Sequence, residues 1–91
     1  MIDGQQQREA LAAAERSLFL LQKGRLEEAG KAAERARELD QVSIFDSLPG
    51  AVGEIVRHRS EGNPVPSGAW DGLAAAVGPG PLAAHVADLR G

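Results

Sequence analysis

The sequence predicts an all-α fold: about five helices stacked as helical hairpins, in a short solenoid or a compact bundle. Three observations carry that expectation. Residues 5–23 contain neither Pro nor Gly and are dominated by Ala, Leu, Glu, Gln and Arg, the strongest helix formers. Apolar residues recur at three- and four-residue spacing along most of the chain. No alternating apolar run marks a strand, and the strand-favouring residues Thr and Tyr are absent.

In the first helix Leu11, Ala14, Leu18 and Leu21 share one face, at spacings of 3, 4 and 3. The stretch Leu18-Phe19-Leu20-Leu21 is apolar on every side, so neighbours or a partner must cover more than one side of it. Gly24 ends the helix where a left-handed residue is wanted. A second helix runs from Arg25 or Leu26 to Leu39, with Leu26, Ala29, Ala32, Ala33, Ala36 and Leu39 inward. Its small side chains let two helix axes approach closely, and Glu27 and Lys31 form an i,i+4 pair on the outer face. Residues 5–40 therefore read as an antiparallel helical hairpin with a short turn.

Beyond Gln41 the composition shifts: all five prolines and eight of the 11 glycines fall there. Val42, Ile44 and Phe45 form an apolar connector expected to pack under the hairpin. Asp46 or Ser47 caps a third helix with Pro49 in its first turn. Leu48, Val52, Ile55 and Val56 form its inner face, and Gly62 closes it. After a rigid Pro-containing loop, Ser67 caps a fourth helix carrying Trp70, Leu73, Ala74 and Val77, with Trp70 expected in the core. Gly78-Pro79-Gly80 breaks the chain again, and Pro81 opens a fifth helix with Leu82, Val86 and Leu89 on one face. At 91 residues the chain reads as one domain, 1–91, made of the 5–40 hairpin and a 46–90 helix plus short hairpin.

The same residues set expectations about chemistry. Without cysteine there is no disulfide, thiolate zinc site, iron–sulfur cluster or cysteine nucleophile. His58 and His85 are too far apart for a helical metal pair. No Gly-x-Ser-x-Gly elbow occurs, and Gly78-Pro79-Gly80-Pro81 lacks the Lys and Ser/Thr of a phosphate loop. The sequence thus predicts no enzyme, no cofactor and no metal. With 10 basic and 13 acidic residues the net charge is −3, without the basic stripe of a nucleic-acid binder. Arg57-His58-Arg59 reads as a cationic helix end favoured by the helix dipole, and an anion or nucleic-acid contact there is the sharper alternative. No apolar run spans a bilayer, and residues 1–5 show no basic-then-apolar leader, so a cytoplasmic protein without membrane contact is the expectation. The preference for Arg over Lys and the wealth of Ala are those of a GC-rich bacterial genome, an expectation about source alone.

Residues 10–41 resemble a single tetratricopeptide repeat, a helical hairpin of roughly 34 residues. With the turn glycine laid on Gly24, Ser17 takes the small position and Leu20 the large one, and Ala29 and Ala36 fall on the two alanine positions. Glu38-Leu39-Asp40 matches the end of the repeat's second helix. Ala13, Arg16, Ala33 and Gln41 depart from the pattern, at three positions usually apolar or aromatic and one usually Pro. The resemblance implies a groove lined by Leu11, Ala14, Glu15, Leu18, Leu21 and Gln22 that binds an apolar helix or peptide. The expected function is a small protein–protein interaction module: an adaptor, chaperone-like or regulatory subunit. The alternative is a homo-oligomer, most simply a dimer, in which those leucines are consumed by self-association.

Overall fold

Asp3 starts the first helix. Its carboxylate accepts the backbone N–H groups of Gln5 and Gln6 at 2.9 and 3.3 Å, satisfying donors that a helix start leaves unpaired. In this computed structural model, which describes residues 3–90, helix α1 spans Gly4–Gln22. It ends in two hydrogen bonds, Gly24 N–H to the Leu21 carbonyl (3.1 Å) and Arg25 N–H to the Leu20 carbonyl (2.9 Å). This closure needs a left-handed residue, and Gly24 supplies it at φ +78°. Helix α2, Leu26–Leu39, follows at once and runs back along α1.

The two helices meet through small side chains. Ala10, Ala14 and Ser17 of α1 and Ala29, Ala32, Ala33 and Ala36 of α2 are buried. The Ser17 hydroxyl donates to the Ala29 carbonyl at 2.7 Å, with no exposed surface on Ser17. Leu26 and Leu39 are half-buried at the two ends of α2.

Helix α3 spans Leu48–Ser60, with Pro49 in its first turn and Leu48, Val52 and Ile55 buried. It ends as α1 does, Gly62 N–H bonding the Arg59 carbonyl and Asn63 N–H the His58 carbonyl. Helix α4 is Ser67–Val77 and α5 is Pro81–Arg90. Neither expected serine cap forms. Ser47 occupies the cap position of α3 but its side chain makes no capping bond. Pro66, already extended at φ −64° and ψ 151°, takes the cap position of α4, so Ser67 moves into the first turn.

The chain is all-α and compact, with no strand among the described residues. The packing order closes on itself: α1 packs on α2, α2 on α3, α3 on α4, α4 on α5, and α5 on α1. The C-terminal hairpin therefore folds back over the first helix. Leu18, Leu21, Leu48, Ile55 and Leu73 are the largest fully buried side chains, and Trp70 joins them in the core as the sequence suggested. The connector departs from expectation. Phe45 is buried, but Val42 and Ile44 face outward, because Ser43 between them takes a left-handed turn at φ 58°.

Leu18 is 1% exposed and Leu11, two turns earlier, is 43% exposed. Leu18→Glu should therefore unfold the chain. An unpaired carboxylate in the core costs several kcal/mol, comparable with the ~5 kcal/mol stability of a small domain. Leu11→Glu should keep Tm within about 3 °C of the parent. Thermal melts followed by far-ultraviolet circular dichroism distinguish the two.

Candidate functional site

The groove expected on α1 is largely filled by the chain itself. Ala14, Leu18 and Leu21 belong to the core, while Leu11, Glu15 and Gln22 remain exposed. Helical periodicity places Leu11, Glu15, Leu18 and Gln22 on one ridge of α1. Helix α5 lies on α1, with His85 Nε2 at 3.9 Å from Glu15 Oε2. An apolar face is thus present on α1 as the sequence indicated, but its middle is covered from within.

What remains open lies at the first end of α1. A notch of about 390 Å³ is lined by Gly4, Gln7, Arg8, Leu11, Ile44 and Phe45. Leu11 is 43% exposed and Ile44 52%, and Val42 on the same connector is 40% exposed. Phe19, further along α1, is also exposed, with the Lys23 ammonium 5.0 Å from its ring centre. These four are the large apolar residues that the described chain leaves to solvent. The sequence assigned Leu11 to an interaction surface but placed Ile44 under the hairpin.

A polar network fixes the notch. The Asp40 carboxylate accepts Val42 N–H (3.1 Å), Phe45 N–H (2.6 Å) and the Gln7 amide (3.0 Å). Gln7 in turn accepts Gln41 N–H at 2.8 Å, and the Gln41 side chain pairs with the Asp3 backbone on both sides, at 3.0 and 2.7 Å. The Gln6 amide donates to the Leu39 carbonyl at 3.3 Å. So the glutamine run at the start of α1 ties the end of α2 and its connector in place, and this ties Ile44 beside Leu11. Partial burial on its own would raise the Asp40 pKa. The hydrogen bonds from Phe45, Gln7, Val42 and Ile44 outweigh that and hold it below its ordinary value of 3.8.

The basic triplet is occupied within the chain. Arg59 donates to the Leu21 carbonyl at 2.8 Å, and its guanidinium lies 5.5 Å from the Trp70 ring centre. It thereby joins the end of α1 to α3 and α4. Arg57 pairs with Glu54 at 2.8 Å and with Glu61 at 3.9 Å. The Arg57 guanidinium, by hydrogen bond and charge, holds the Glu54 carboxyl below its ordinary value, and His58 adds to this. His58 Nε2 is 3.3 Å from Glu54, while its Nδ1 is buried without a partner. With these cations engaged by acids, a carbonyl and an aromatic ring, the geometry does not favour an anion site.

Among the described residues no group of His, Asp and Glu is arranged to hold a metal ion, and no helix is long and apolar enough to cross a membrane. No family model, curated protein or solved structure matches the chain.

Asp40→Asn removes a charged acceptor and should cost about 1–3 kcal/mol. Because the folded Asp40 carboxyl titrates below 3.8, its contribution is complete above that pH and is lost as pH falls through the lower folded value. Stability measured by urea melts between pH 2 and 7 should show the Asn variant losing less on acidification than the parent. Separately, Arg59→Ala should cost about 1–3 kcal/mol and red-shift the fluorescence of the single Trp by opening its cover.

Proposed function

We propose that the chain is a small protein-interaction module, an adaptor, chaperone-like or regulatory subunit, that docks an apolar helix or peptide of a partner protein at the Leu11–Ile44 notch. The observation that carries this reading is the notch itself: exposed Leu11 and Ile44 beside buried Phe45, on a backbone fixed by the Asp40 network. An apolar side chain entering it would bury hydrocarbon against hydrocarbon at little cost in ordering the site. The resemblance of residues 10–41 to a tetratricopeptide hairpin is in keeping with this reading. No acid, base and nucleophile converge at the notch, which favours binding over catalysis.

The alternative occupant is a second copy of the chain. Obligate dimers bury roughly 2,000 Å² or more in total, about 1,000 Å² per chain. Four half-exposed apolar side chains offer on the order of a few hundred Å² per chain, which favours a reversible contact with another protein.

The test places a photo-crosslinking residue at Leu11, Ile44 or Glu34 in the cells that make the protein. Glu34 is exposed on α2, away from the notch lining. The reading expects one recurrent adduct from positions 11 and 44 and none from 34, abolished when the other notch residue is changed to Glu. Adducts of twice the chain mass would establish the dimer instead. Equal labelling from all three positions would overturn the notch as a site.

A further inference from the structure

The side of α1 turned away from the notch carries a second opening. Leu20 lies roughly half a turn round the helix from Leu11 and lines the seam between α1 and α2. A groove of about 380 Å³ opens there on the outer face of the hairpin. Its floor is aliphatic: Leu20 at 6% exposure, Ala32 at 9% and half-buried Ala13. Alanine side chains are short, so the long side chains of Arg16, Lys31 and Arg35 stand above the floor as walls.

The walls are cationic. Arg16 rises from α1, and Lys31 and Arg35 stand one turn apart on α2. Arg16 is exposed and makes no ion pair or hydrogen bond among the described residues. Lys31 and Arg35 meet Glu27 and Glu38 at 3.5 Å each, with all four side chains more than half exposed. Pairs as open as these hold their members weakly and release them at little cost. The one carboxylate among the described lining residues, Glu28, is taken by Arg25 at 2.8 Å. Three cations thus face the groove against one carboxylate, in a chain whose net charge is −3. A local charge opposite to that of the whole molecule, above an aliphatic floor, complements an occupant that is both acidic and apolar.

We infer that this groove docks a short acidic segment of a partner protein, with an apolar side chain seated on Leu20 and carboxylates held by Arg16, Lys31 and Arg35. Each arginine can grip a carboxylate through two parallel N–H···O bonds, and Lys31 adds a point charge. A nucleic acid fits less well. The net negative charge repels a polyanion at long range, and among the described residues no aromatic ring lines the groove for a base to stack on. The groove and the Leu11–Ile44 notch share no described lining residue, so the acidic site stands whether or not the notch is occupied.

A phage-displayed library of random dodecapeptides panned on the intact chain tests this. Enriched peptides should carry Asp or Glu on both sides of a large apolar residue. A fluorescein-labelled copy of the leading sequence should bind the triple variant Arg16→Gln, Lys31→Gln, Arg35→Gln about tenfold more weakly than the parent. All three positions are exposed, so circular dichroism should show unchanged helix content. On the parent chain, changing the peptide's carboxylates to amides should cost a similar factor, a readout that holds even if the triple variant folds poorly. Leu11→Glu, on the far side of α1, should change the affinity less than twofold. Enrichment of no peptide, or of peptides without acids, would overturn the proposal. So would binding that is lost on Leu11→Glu and kept in the triple variant. A polyuridylate dodecamer bound as tightly as the peptide would mark a general anion surface and overturn it as well. Crosslinking at Leu11 and Ile44 reads the notch separately, so either site can fail while the other stands.

Discussion

The close approach of α1 and α2 is the constraint on which the rest of the structure depends. A serine hydroxyl reaches a carbonyl of the facing helix at 2.7 Å only when the two backbones nearly touch. Ser17, Ala10 and Ala14 on one side and Ala29, Ala33 and Ala36 on the other leave no room for anything larger. Such packing has a drawback. Alanine brings little apolar area, so the hairpin interface stabilises itself only weakly. The large side chains of α1, Leu18 and Leu21, must find partners elsewhere, and they join Leu48, Ile55 and Leu73 in one core. The second half of the chain thus supplies the bulk that the first half gave up for proximity, and the ring of helices closes because α1 has a second side to cover.

Much of this was legible in the sequence because it is locally determined. Gly24 and Gly62 stop their helices through bonds reaching back only a few residues, and Pro49 fits a first turn wherever that turn lies. The inner faces of α2, α3 and α5 follow from spacing alone. The serine caps were not legible, since a cap depends on the backbone that precedes it, and Pro66 had already supplied the extended conformation required.

The site was harder to read for a related reason. Periodicity shows that α1 has a wide apolar face, but not which neighbour covers which part of it. Leu11 and Leu18 lie on the same ridge seven residues apart, yet one is exposed and the other is core. Leu18 lies in the core cluster with residues of the second half of the chain, and Leu11 lies outside it. Ile44 and Phe45 are adjacent and similarly apolar, and only the turn at Ser43, held by Asp40, sends one out and the other in. A carboxylate followed by a short run with no helical or strand period was the available signal, and the glutamines that bind it gave no periodic mark at all.

The two halves of the molecule consequently differ in what motion they allow. The hairpin is stitched at its turn by the Gly24 bonds and at its open end by Asp3, Gln6, Gln7, Asp40 and Gln41, so α1 and α2 move as one body. Arg59 extends that body to α3 and α4 through the Leu21 carbonyl and Trp70. Helix α5 stands outside these polar ties, held by two apolar side chains, a half-buried third and surface charges. Surface ion pairs of this kind contribute at most about 1 kcal/mol each. The open apolar residues Leu11 and Ile44 therefore sit on the rigid part, beside the bonds that stitch the open end of the hairpin.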